Sequence, residues 1–212
     1  GAHRVSEIAG RIGRPATSMS RPLDRLVGMG LVVRTIPFGE SEKKSRASLY
    51  RISDPFFRLW FRVVAPNRAQ LASGSRQSRL ALLDRFWENL RAEAWEDLCR
   101  LRLPFLARRS GLGRLGPWGP ASRWWKRNAP EWDLVSASQD GSRLLLGEVK
   151  WSRRPFSPSA LRLEAERLIA REPPPVPPKH RRAEVVRALF VPEFRGEARL
   201  GEVRVVRASD LL

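Results

Sequence analysis

The stretch that decides the fold is EWDLVSASQDGSRLLLGEVKW, residues 131–151. Two largely apolar runs flank Gln139-Asp140-Gly141-Ser142, and an Asp-Gly pair between such runs signals a β-hairpin. Residues two apart on a strand share a face. Glu131 and Asp133 therefore point the same way, as do Glu148 and Lys150, with Trp132, Leu134, Val149 and Trp151 expected on the opposite, buried face. Three carboxylates and one Lys thus interrupt an apolar hairpin. They form either a cross-strand ion-pair ladder or a centre that holds a cation.

The neighbouring segments supply the rest of a domain. LALLDRFWENLRAEAWEDLCRLRL, residues 80–103, has Leu83, Phe86, Leu90, Ala94, Leu98 and Leu101 along one helical face. Cys99 lies within it and is expected as a small core residue. GLGRLGPWGPASRWWKR, rich in Gly, Pro and Trp, predicts a loop with a short strand. After the hairpin, SPSALRLEAERLIA reads as a helix capped by Ser157 or Ser159, and REPPPVPPKHRR as a basic, polyproline-like loop. AEVVRALFVPEF and EVRVVRASDLL read as a buried strand and a shorter one. The order helix, strand, strand, helix, strand, strand predicts an α/β plan, α+β over the whole chain, with a mixed sheet flanked by helices.

The first 53 residues follow another pattern. VSEIAGRIG is a short amphipathic helix ending at Gly13, and PATSMSRPLDRLVGMG is a second with Met19, Leu23, Leu26 and Val27 inward. LVVRTIPFG and LYRIS are strands around the polar loop ESEKKSRAS. Helix, turn, helix and a hairpin with a basic tip predict a winged helix-turn-helix. Its second helix would present Ser18, Ser20, Arg21 and Arg25 to a major groove, and Lys43, Lys44 and Arg46 on the wing would reach phosphates. The first helix of such a fold is absent or abbreviated at Gly1, so a C-terminal fragment of something longer is expected. Between the domains, DPFFRLWFRVVAPNR clusters Phe56, Phe57, Trp60 and Phe61, and is read as a helix packed on all sides rather than as rings that stack bases. The expected division is 1–53, a connector at 54–79, and 80–212.

Charge narrows the partners. The net charge is +18; the first 75 residues contribute +8 and the remainder +10, so both halves are basic. Such a surface attracts a polyanion, and DNA is the partner expected; a general enrichment in Arg is the plainer alternative. One cysteine excludes an internal disulfide, and with only two histidines, His3 and His180, a structural zinc site is not expected. Without an 18-residue apolar run or a signal-peptide core, a soluble cytoplasmic protein with no membrane contact is expected.

If the strands pair around Asp140-Gly141, Asp133 and Glu148 come within reach of one ion. A hard divalent cation such as Mg²⁺ or Mn²⁺ needs only one or two carboxylates beside substrate oxygens. Lys150 would orient water and stabilise charge on a phosphodiester. The alternative is that these carboxylates merely neutralise a basic sheet.

The order of motifs resembles the PD-(D/E)XK nuclease superfamily. YRISDPFFRLWFRVVAPN, AWEDLCR, RWWKR, EWDLVSAS and LLLGEVKW together look like the C-terminal region of archaeal-type P-loop ATPases, where a winged helix and a restriction-endonuclease-like domain follow an ATPase module. The resemblance covers nearly the whole chain. It implies that Asp133, Glu148 and Lys150 are the catalytic triad, that Glu96 is a further metal or water ligand, and that Glu131 is an auxiliary carboxylate. The tryptophans of Arg123-Trp124-Trp125 are read as packing. Two departures stand: no G-x-x-x-x-G-K-[ST] occurs, so no P-loop ATP site is expected in this chain, and Trp rather than Pro precedes the Asp. Three readings follow: a metal-dependent nuclease on a DNA-binding winged helix, a non-catalytic DNA-binding or regulatory module of an ATPase missing from this chain, and a pair of protein-interaction surfaces.

Overall fold

The structure, a computed structural model, describes residues 3–43, 45, 47–107, 110–197 and 199–212. They fall into two units, one made of Gly1–Thr35 and Ser45–Ala94, the other of Ile36–Lys44 and Trp95–Leu212.

In the first unit, helix α1 (Val5–Ile12) ends where Gly13 turns left-handed at φ 68°, a conformation glycine adopts without strain. A 3-10 turn at Ala16–Met19 leads into α2 (Ser20–Gly28). Ala9, Met19 and Leu23 are buried together, with Val5, Ile8 and Tyr50 against them. Strands β1 (Val32–Thr35) and β2 (Leu49–Ile52) pair antiparallel, Val32 opposite Ile52. The expected order of helix, turn, helix and hairpin is present.

Asp54 then caps α3 (Pro55–Leu59), its carboxylate accepting from the Phe56 and Phe57 amides at 2.6 and 3.3 Å. A π-helical turn, Trp60–Val64, follows. The expectation of packing on all sides is corrected here: Phe56 and Phe61 are 60% and 58% exposed. A helix of this size has one inward stripe, and Arg58 and Val63 occupy it. The buried guanidinium of Arg58 is satisfied by the Ile52 and Ser53 carbonyls at 2.9 Å each. After α4 (Arg68–Ser73) comes the long α5 (Arg76–Arg102), whose Ala94–Trp95 step is the boundary between units. Leu101, expected on the inner face, is 68% exposed. The stripe that is buried near that end is Trp95, Cys99 and Leu103, spaced by four.

The second unit is built on six strands: β3 (Ser122–Trp124), β4 (Trp132–Ala137), β5 (Arg143–Val149), β6 (Glu184–Phe190), β7 (Arg199–Leu200) and β8 (Val203–Val206), in the spatial order β3-β4-β5-β6-β8-β7. Pairing is antiparallel from β3 to β5, parallel from β5 through β6 to β8, and antiparallel again at β7. Helix α6 (Pro158–Ala170), capped by Ser157, joins β5 to its parallel neighbour β6, and α7 (Ala208–Leu211) follows β8. One face of the sheet packs on Trp95, Cys99 and Leu103, and the other on Leu161, Ala165 and Leu168 of α6. The chain is therefore mixed α+β, as expected.

Burial on both faces explains the unbroken LLLG run of β5. Leu144 and Leu146 face the α6 side and Leu145 the α5 side, where an alternating apolar-polar strand would leave one face bare. Gly147 at the end of that run lets the core close tightly, because a Cβ there would lie 3.0 Å from the Phe190 ring and 3.1 Å from Leu134, which would have to shift by a few tenths of an ångström. Residues 36–43, the first part of the connection from β1 to β2, belong to this second unit. The Phe38 amide donates to the Arg123 carbonyl at 2.8 Å, and its side chain packs against the α6-side core.

Strand alternation fails at one place. Ser122 faces Val135 but Trp124 faces Trp132, so Asp133 and Leu134 together oppose Arg123, a β-bulge. Trp132 consequently lies in the α6-side core, whereas Leu134, Val149 and Trp151 belong to the α5 side. The single buried face expected for all four is thus corrected for Trp132.

Candidate active site

The hairpin closes as its sequence predicts. Gly141 is left-handed at φ 73°, and Asp140 accepts from the Ser138 hydroxyl at 2.5 Å and the Ser142 amide at 3.0 Å. The register runs from Ala137 opposite Leu144 to Leu134 opposite Gly147. The pairing ends there, and beyond it, at the open end of the hairpin, Asp133 lies close enough to Glu148 for the two charges to act on each other.

Asp133 is short of donors. Its Oδ2 accepts the Val149 amide at 3.0 Å. Burial first, and then the nearby charge of Glu148, push its carboxyl up to about 6, with Glu96 adding to the rise and the Val149 hydrogen bond opposing it. Glu148 behaves oppositely. Burial alone would raise it, but hydrogen bonds from Arg171 and Lys150 hold it below the usual carboxylate range. Lys150 Nζ lies 2.9 Å from Glu148 Oε1 and 3.6 Å from Glu164, and Arg171 Nη1 lies 2.5 Å from Glu148 Oε2. Burial would lower Lys150; its bond to Glu148 and the nearby carboxylates more than reverse this.

Glu96 comes from α5. Arg100, one turn on, bonds Glu96 at 3.3 Å, Asp97 at 2.8 Å and the Asp133 carbonyl at 3.0 Å, which ties the helix to the bulge. Glu131 stands apart, largely exposed and 3.3 Å from Arg123. The structure therefore brings together Asp133, Glu148 and Lys150, places Glu96 near enough to act on Asp133, and leaves Glu131 at the rim.

The donors fit a hard divalent ion in kind: two neighbouring carboxylates, one of them raised by burial and then by its neighbour's charge, are the oxygen set such an ion needs beside water and phosphate. Among the described residues, no group of three His, Cys, Asp or Glu is arranged to hold an ion by itself. Asp133 and Glu148 would hold the ion, with substrate or water completing its shell.

Two members were missed from sequence, Glu164 and Arg171. Glu164 lies within α6, whereas Arg171 follows the helix in extended backbone at φ -75° and ψ 127°. No helical spacing therefore relates the two, and the segment is crowded with other Arg and Glu residues. On the first unit, Ser18, Ser20, Arg21 and Arg25 are exposed, and the Ser18 hydroxyl donates to the Pro15 carbonyl at 2.7 Å. Lys43 is exposed on the 36–44 segment; Lys44 and Arg46 lie outside the described residues. Among the described residues, no helix is long and apolar enough to cross a membrane.

Comparison with known proteins places these residues in a family. The profile of DUF234, archaeal and bacterial proteins of unknown function, matches residues 60–165, half of the chain. The chain belongs to the DUF234 family. The matched segment runs from the π turn into α6 and contains Glu96, Asp133, Glu148, Lys150 and Glu164, while Arg171 and the helix-turn-helix lie outside it. An uncharacterized protein of Methanocaldococcus jannaschii is 27% identical over 158 residues, 71% of this chain. The chain spans about a third of that relative's length, the match covering 33% of it. No solved structure matches.

Proposed function

We propose that the second unit hydrolyses phosphodiester bonds with a divalent ion, Mg²⁺ or Mn²⁺, as a nuclease of the PD-(D/E)XK type. The first unit would bind the DNA. The observation that carries this reading is Asp133 within reach of the charge of Glu148, with Lys150 at 2.9 Å from Glu148, on a sheet buried on both faces. A bound divalent ion would supply a polarised water and neutralise phosphate charge. Asp133 and Glu148 hold it, and Glu96 stands by as a further water or ion ligand. Lys150, kept protonated by Glu148 and Glu164, points a positive charge at the same place and stabilises the negative charge gathered in the transition state. Ser18, Ser20, Arg21, Arg25 and Lys43, exposed on their segments, would contact DNA.

The family resemblance stated from sequence adds that this nuclease-like part belongs to a larger ATPase-type protein. The M. jannaschii relative, with two thirds of its length outside the match, leaves room for such a module in that protein.

The experiment is a DNA cleavage assay with Mg²⁺ or Mn²⁺. Cleavage should be metal-dependent and abolished by Glu148→Ala or Lys150→Ala, with DNA binding retained. DNA left intact by the parent protein favours a second reading, a non-catalytic DNA-binding or regulatory module. One observation supports that alternative: both Glu148 oxygens are already engaged by the protein's own cations.

A further inference from the structure

The engagement of Glu148 by Arg171 is built into the fold. Arg171 directly follows α6, and the Pro173–Pro175 run cannot continue the helix. Three contacts fix its guanidinium, and a fourth anchors the next residue. Arg171 Nη1 donates to the Glu131 carbonyl at 2.8 Å as well as to Glu148, the guanidinium lies 5.0 Å over the Trp132 ring, and the Trp132 indole N–H donates to the Glu172 carbonyl at 3.3 Å. The bulge that turns Trp132 toward α6 is what provides this platform.

Charge decides what the platform does. Asp133, Glu148, Glu164, Glu96 and Asp97 stand with Lys150, Arg171, Arg167 and Arg100, each cation in an ion pair with a carboxylate of this group. A divalent ion entering alone would need Glu148 Oε2, which Arg171 holds, and would turn the one-charge deficit of cations into an excess of one. A phosphodiester entering with it supplies an anion and an acceptor for a displaced guanidinium, whose planar fork suits phosphate oxygens.

Resting on the nuclease reading, we propose that Arg171 is the group the ion displaces from Glu148 and the group that then binds the substrate phosphate, so that ion and DNA bind together. Linkage makes the coupling reciprocal.

The test measures Mn²⁺ binding from the free-ion EPR signal, with and without a short phosphorothioate DNA duplex, for the parent, Arg171→Gln and Arg171→Lys proteins. The parent should bind Mn²⁺ at least about fivefold more tightly when DNA is present, the low end of typical coupling between sites. Arg171→Gln should bind Mn²⁺ alone more tightly than the parent by a similar factor and lose the enhancement by DNA. Arg171→Lys, which keeps the competing charge, should resemble the parent for Mn²⁺ alone. Circular dichroism of each variant checks folding. Equal or weaker Mn²⁺ binding by Arg171→Gln overturns this proposal while leaving the nuclease reading intact, as does an identical change in Arg171→Lys. Absence of Mn²⁺ binding in every protein overturns both, whereas binding by Arg171→Gln alone upholds the competition.

Discussion

Asp133 and Asp140 sit on one hairpin, seven residues apart, and are driven in opposite directions. Asp140 gathers the Ser138 and Ser142 hydroxyls and the Ser142 amide, led by the Ser138 bond, and is held at about 2. Asp133 has the Val149 amide, a buried setting and the nearby charge of Glu148, and rises to about 6. At the turn, the carboxylate is a sink for donors that closes the loop. At the open end, the same chemical group is left short of positive charge, which is the condition a cation relieves. The contrast separates a structural carboxylate from one available for chemistry.

The widest expected gap is in activity. Asp133→Ala should lower metal-dependent cleavage by about 100-fold or more, whereas Asp140→Ala should leave it within about twofold. Equal losses in a cleavage assay would erase the distinction.

A smaller gap is expected in stability without metal. Because the folded pKa of Asp133, about 6, exceeds its ordinary 3.8, the folded state holds this proton more tightly. The resulting stabilisation is complete below about pH 4 and is lost as the pH rises through 6. Asp133→Asn cannot ionise, and its amide oxygen can still accept from Val149. The variant should exceed the parent in stability above pH 7, by on the order of 2–3 kcal/mol, and match it near pH 4. Denaturant unfolding in EDTA at both values measures this; a constant difference would show that ionised Asp133 is well solvated.

Asp140 gives the smallest effect, with the opposite sign. Its depressed pKa stabilises the fold above pH 4, and that contribution is lost as the pH falls toward 2. Asp140→Asn should therefore flatten the acid limb of the parent's unfolding profile between those values, with little change at neutral pH. An unchanged acid limb would mean that the turn does not depend on this charge.

The parts of the molecule legible in sequence were those fixed by local rules. The Asp-Gly turn, the left-handed Gly13 stop and the run of strands and helices after residue 130 followed from turn chemistry and periodicity. The alternation held along β5, where Leu144 and Leu146 face one core and Leu145 the other. It failed for Trp132, because a bulge depends on how β3 meets β4, and three residues of β3 carry no such information. The aromatic connector misled for a different reason: Arg58 took an inward place by bonding two carbonyls, leaving Phe56 and Phe61 outside. Arg171 was invisible because its role comes from a tryptophan 39 positions earlier and a helix end, neither encoded in a local pattern. Glu96 entered through the family resemblance, since α5 is separated from β4 by a long irregular segment.

The most direct test of the central claim is the anomalous density of a crystal soaked in Mn²⁺ together with a short phosphorothioate duplex. The account predicts a peak between the Asp133 and Glu148 carboxylates, with Arg171 moved off Glu148 and onto a phosphate oxygen. DNA bound with no peak at that position, and Arg171 still on Glu148, would contradict it.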